Sequence, residues 1–181
     1  YNTSLGADSL SGGCSQYNVA VGYKAGEGIT GEANTAIGAN ALDVHTANYS
    51  TAVGYNALTS STTGNNDAFG TSALSSCTTG TGNAAFGRQS LSSIVASSSY
   101  NSAFGHECLN ALSTGAYATA MGYEALHDNT TGSSNTAVGY QAGDKVTTGS
   151  NNVFIGALTG NNTTTSSSNT HVGYNAGGGN A

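Results

Sequence analysis

Side chains able to do chemistry are few in this chain. Histidine occurs at His45, His106, His127 and His171, and cysteine at Cys14, Cys77 and Cys108. His106-Glu107-Cys108 is the tightest polar trio, the residue types of a nucleophile with its base or of a metal site. In an extended strand, however, adjacent residues point to opposite faces, so the trio would be split. Zinc sites draw on grouped His, Cys and carboxylate ligands, and the four histidines fall at four different places in the pattern described below. Gly80-Thr81-Gly82 lacks the third glycine and following helix of a dinucleotide loop. The Asp-rich nonapeptide of calcium-binding β-helices is missing as well. The net charge is −6, with Lys24, Arg88 and Lys145 the sole basic side chains. Nucleic acid needs a basic face and finds none. No run approaches the roughly 20 apolar residues of a membrane span. We therefore expect no enzyme, no catalytic residue, no cofactor, no metal, no nucleic-acid partner and no membrane span.

What the sequence does contain is one repeat, clearest at Asn135-Thr136-Ala137-Val138-Gly139-Tyr140. Its anchoring glycines are Gly6, Gly22, Gly38, Gly54, Gly70, Gly87, Gly105, Gly122, Gly139, Gly156 and Gly173, spaced 16 to 18 residues apart. With each glycine as zero, position −1 is always apolar: Leu5, Val21, Ile37, Val53, Phe69, Phe86, Phe104, Met121, Val138, Ile155 and Val172. Position −2 is alanine in eight copies, the exceptions being Ser4, Phe154 and His171. Position −4 is asparagine in nine: Asn2, Asn18, Asn34, Asn66, Asn83, Asn101, Asn135, Asn152 and Asn169. Position +3 is small, and +4 is leucine in seven copies and glycine in four. All ten tyrosines fall at −5 or +1. Disorder would need no such register.

A helical repeat needs roughly 33 residues or more, and a leucine-rich one at least about 20. A copy of 16 to 18 residues suits one coil of a parallel β-solenoid. The expected fold is all-β: a parallel β-solenoid, or β-roll, of about eleven coils forming one domain over residues 1–181. We assign a strand to −5 to −1, a bend to the glycine, a second and weaker strand to +2 to +5, and a loop to the rest. Large −1 side chains and Leu at +4 are expected inside. Alanine at −2 and asparagine at −4 then face outward or line the turn; the opposite assignment buries alanine and exposes Tyr, Thr and Val. Either way one long, weakly polar stripe remains, which predicts lateral packing on another copy. The nine asparagines, stacked in register, can form an amide ladder; a preference for turns is the simpler explanation. Phe69, Phe86 and Phe104 form an aromatic stack in mid-rod. At about 4.8 Å per coil, Cys14 and Cys77 lie roughly 19 Å apart, beyond disulfide reach. Cys108 reads as a buried thiol, and Cys14 and Cys77 as loop residues able to link chains. The tail, residues 177–181, contains no capping helix.

The run Asn-Thr-Ala-Val-Gly-Tyr-x-Ala resembles the head repeats of trimeric autotransporter adhesins, and also repeats of phage tail-fibre and other virion fibre proteins. Asn34-Thr35-Ala36-Ile37-Gly38 and Asn152-Val153-Phe154-Ile155-Gly156 come nearest. This chain differs in placing Asn four residues before Gly rather than five, and in its longer coil. The resemblance implies a left-handed β-roll, commonly trimeric, in an extracellular fibre. The expected function is a structural subunit of such a fibre, with copies of itself as partners, head to tail and laterally. The chain begins at Tyr1 without methionine and reads as processed or excised, and its uncapped ends predict head-to-tail stacking. The alternative is an adhesin or host-recognition segment whose tyrosines contact a glycan or receptor. An ice-binding surface would need a regular Thr array, and Thr at −3 is interrupted in five copies. Sugars on the Ser/Thr loops would keep so uncharged a chain soluble: Thr62, Thr63, Thr78, Thr79, Thr147, Thr148 and Thr163 are the candidates, with sequons at Asn2, Asn48, Asn129, Asn161 and Asn162.

Overall fold

A computed structural model describes residues 1–95 and 97–178. Gly179, Asn180 and Ala181 of the tail lie outside the described residues, as does Ala96 in the longest loop. Eleven three-residue strands, one per copy, form a single parallel sheet in chain order: β1 Thr3–Leu5, β2 Val19–Val21, β3 Thr35–Ile37, β4 Thr51–Val53, β5 Asp67–Phe69, β6 Ala84–Phe86, β7 Ser102–Phe104, β8 Thr119–Met121, β9 Thr136–Val138, β10 Val153–Ile155 and β11 Thr170–Val172. Each step pairs equivalent positions of the repeat, Ala36 with Ala52 and Phe69 with Phe86, for example. The chain is a β-solenoid.

Each coil has one strand, not the expected two. The segment after the glycine is a tight turn with left-handed residues at +2 and +4, such as Lys24 (φ 55) and Leu42 (φ 50). The changes of hand send successive amides up and down the rod. Lys24 N–H reaches back to the Ala7 carbonyl at 2.9 Å, and Leu10 N–H forward to that of Ala25 at 3.1 Å. The turn thus joins the coil-to-coil ladder without being extended. Left-handed backbone costs a leucine about 1–2 kcal/mol. Burying its side chain returns about 2 kcal/mol, and the forward hydrogen bond is kept, so leucine holds the position.

The inside and outside of the strand are also the reverse of the expected assignment. Alanines at −2 are fully buried, as are the asparagines at −4 from Asn18 to Asn152, while the −1 column faces out. The reason is room. Leucine at +4 and the residue at +7 (Ile29, Cys77, Ile94, Leu112, Val146) already fill the narrow interior, leaving space opposite for a methyl group. The exceptions obey the same rule. Phe154 and His171 replace alanine at −2 where +4 is Gly160 and Gly177, and a Cβ on either glycine would run into the ring. The Phe154 ring also covers Gly143 of the preceding coil, and Ile29 fills the space beside Gly26. Phe69, Phe86 and Phe104 do stack, with centroids 4.6 and 4.8 Å apart, but on the outer face.

All three cysteines are free. Cys108 lies in the core, and burial pushes its thiol up to about 12. Cys77, expected in a loop, is also in the core with its thiol pushed up to about 11, out of reach of another chain. Cys14 is half-buried.

Candidate functional site

The rod has three long sides, and the sequence-predicted residues distribute over them and over the interior. The asparagine column is internal. From Asn2 to Asn152 the Oδ1 of each amide accepts the main-chain N–H of the next coil, as Asn34 does from Ser50 and Asn83 from Asn101, at 2.9 and 3.0 Å. Its Nδ2 donates to a loop carbonyl of that coil, Asn18 to Gly31 at 2.9 Å and Asn135 to Gly149 at 2.7 Å. Asn66–Asn83–Asn101 and Asn135–Asn152–Asn169 also bond amide to amide. Ala118 has no acceptor to offer Asn135, and the loop carbonyl of Gly132 is bonded instead by Asn129.

His45 occupies the +7 column and is fully buried. It lies 3.0 Å from the Ser61 carbonyl through Nδ1, so that nitrogen carries the proton, and Nε2 has no partner. Burial holds its pKa below the ordinary 6.5, the Ser61 bond offsetting part of that. The unfolded chain therefore binds this proton more readily. Stability is unaffected above about pH 6.5 and falls as pH drops from there through the depressed folded value. We expect His45→Ile, which copies Ile29, to remove this part of the acid loss. Equal melting-temperature losses between about pH 7.5 and 5 in both proteins would contradict the assignment.

The turn edge gathers the charge. Ten of the twelve charged side chains lie between +1 and +6, Glu32 and Asp67 being the others. Arg88 donates to His106 at 2.8 Å and to Glu107 at 3.2 Å. Cys108 points inward, so His106, Glu107 and Cys108 do not act together. Three groups meet here: the ligand atoms of His127, Asp128 and Asp144 lie within 4.8 Å of one another. Stacking coil 9 on coil 8 brings them together, a neighbourhood visible in sequence only by superposing the repeats. Lys145 lies between the carboxylates, 3.1 Å from Asp128 and 3.0 Å from Asp144, and supplies the positive charge they need. This edge is a set of screened surface ion pairs.

The loop edge is built from hydroxyls. At +8, Thr46, Thr62, Thr78, Ser113, Thr130 and Thr147 each donate to the +8 carbonyl of the next coil. Thr63 likewise donates to Gly80. Of the sugar candidates, Thr62, Thr79 and Thr148 are exposed, and Thr62, Thr63, Thr78 and Thr147 would give up a ladder bond on modification. Thr163 is buried, 6 % exposed, although residues 164–168 of its loop are exposed, and is unavailable to a glycosyltransferase in the folded chain. The same holds for the sequon at Asn129, fully buried and bonded to Gly132.

The third side is the outer face of the sheet, with −1 and −3 at its centre and tyrosines at both margins. All ten tyrosines are exposed. Where two occupy adjacent coils their rings stack: Tyr1–Tyr17, Tyr100–Tyr117 and Tyr123–Tyr140 at 5.5, 5.6 and 5.5 Å, nearly parallel. His106 continues the last stack at 5.4 Å. A stacked ring turns its edge and hydroxyl to solvent and its faces to its neighbours. No ligand-sized cleft exists among the described residues. Nor is any of their helices long and apolar enough to cross a membrane. No protein-family model, curated protein or solved structure matches the chain.

Proposed function

We propose that the chain is a structural subunit of an extracellular fibre or filament, joined to copies of itself end to end and side to side. The observation that carries this reading is the self-complementarity of the coil plane. What one coil offers (an Asn Oδ1 and Nδ2, a hydroxyl, an alternating row of main-chain groups) is what the next accepts, level after level. A second rod stacked on such a plane continues the same ladder, and open heterologous contacts of this kind give filaments. The exterior agrees with a scaffold: no cleft among the described residues, few charges, and six of the ten tyrosines stacked in pairs. At those six rings the stacking weighs against the alternative of an adhesin, because sugars pack on aromatic faces rather than edges. The extracellular setting rests on the resemblance of the repeat to fibre and adhesin repeats. Electron microscopy of the purified chain tests the proposal. Filaments with an axial repeat of about 4.8 Å are expected; separate rods one chain long at high concentration would overturn it.

A further inference from the structure

We infer that the outer face of the sheet is a homotypic interface, covered by the same face of a second copy; this deepens the fibre reading and rests on it. The face is open and nearly uncharged, with an apolar −1 column beside a −3 column that is mostly threonine. Leu5, Met121, Ile155 and Val172 are 67, 48, 42 and 65 % exposed, and Phe86 and Phe104 more than a third. The −1 and −3 columns supply twenty-two side chains over eleven coils, of which one, Asp67, is charged. Depletion of charge at the centre with aromatic residues around it is the composition of an interface core, and the tyrosine hydroxyls along both margins form its polar rim.

Size and period identify the occupant. Eleven coils at about 4.8 Å make a face roughly 50 Å long. With the flanking tyrosines it is roughly 15–20 Å wide, which gives on the order of 800 Å² per chain, the contribution of one partner to a standard stable interface. Its relief repeats at every coil, with the phenylalanine rings parallel to within 8°. A partner matching that relief along the whole length must carry the same axial period, and another copy of this rod does so at every level. The turn edge is a poor alternative contact, because seven of its ten charges are acidic and two copies would repel through it.

Sedimentation of the full 181-residue chain at tens of micromolar, compared across variants, tests this. Wild type is expected to run as face-paired dimers or their multiples. Val53→Glu with Phe104→Glu places two carboxylates on the face without entering the core and is expected to weaken pairing about 100-fold or more. Thr148→Glu on the loop edge should leave it unchanged. Asp67→Thr restores the residue most frequent at −3 and should tighten pairing several-fold, a gain that unfolding cannot imitate. A wild-type monomer at these concentrations, an unaltered mass for the double variant, a loss with Thr148→Glu, or no gain with Asp67→Thr would each overturn the inference. Microscopy separates the two proposals. Thin filaments one rod wide, identical in wild type and the double variant, would sink the lateral pairing and leave the fibre standing. Paired rods that never elongate would sink the fibre and leave the pairing.

Discussion

Gly105→Val is expected to be among the most damaging single substitutions in the chain, costing at least about 3 kcal/mol. Gly105 has φ +149, a region L side chains rarely adopt, and a Cβ there would strike the Gly122 carbonyl of the next coil. That obstacle is backbone within a hydrogen-bonded ladder, so no rotamer change relieves it. The Gly122 N–H bond to Phe104 (2.8 Å) lies at the same bend. Ser97→Val, in the long loop, would seem an innocent comparison, but Ser97 has φ 54, and a β-branched residue there costs about 1–2 kcal/mol. Thr148→Val is the better control: exposed, of similar shape, and expected within about 0.5 kcal/mol of wild type. Denaturant melts of the three variants should rank Gly105→Val well below Ser97→Val and Ser97→Val below Thr148→Val. Similar midpoints for Gly105→Val and Thr148→Val would refute the packing described at the bend.

The second large effect is expected at Asn101→Leu, at about 2–4 kcal/mol. Fully buried, Asn101 accepts the Ala118 N–H at 2.9 Å and donates to Asn83 Oδ1 at 3.0 Å and Ser98 Oγ at 3.1 Å. Leucine is close in volume, so the loss comes from polar groups stranded in the core rather than from a cavity. Asn101→Ser should cost less, since Ser50 in the same column accepts the Asn66 N–H, at 3.3 Å. Hydrogen exchange reads the effect locally: the Ala118 amide should lose protection in the leucine variant and keep part of it in the serine variant. Full protection at Ala118 together with wild-type stability would show that the amide column does not hold the coils together.

The repeat period and the parallel stack were legible in the sequence because a fixed spacing with like residues in like places leaves a solenoid as the economical solution. The polarity of the strand was not. Large apolar residues at −1 read as core under the usual rule, yet here a short coil limits interior volume, and the −2 alanines are what fit. The sequence did contain a signal. Where −2 is Phe154 or His171, +4 is Gly160 or Gly177, an exchange of size between two columns that makes sense only if both face inward. The second strand was misread because leucine at +4 suggests extended backbone, whereas its carbonyls alternate through a left-handed turn. The loop threonines looked like free hydroxyls, since a ladder from one coil to the next is invisible until the coils are superposed. The meeting of His127 and Asp128 with Asp144 was hidden for the same reason.

The asparagine ladder also bears on how the rod would carry load. Tension along the axis pulls directly on the bonds between coils, and those interfaces are arranged in series, so breaking strength is set by the weakest one. In the −4 column most steps add a side-chain acceptor to the main-chain bonds, but the step from Ala118 to Asn135 relies on Ser133 Oγ, which accepts the Ala116 N–H at 3.2 Å, and the step from Ser50 to Asn66 uses a hydroxyl at 3.3 Å. A stretched rod would part first at such a step and leave intact segments on either side, so that overload would cut the rod short instead of unravelling it.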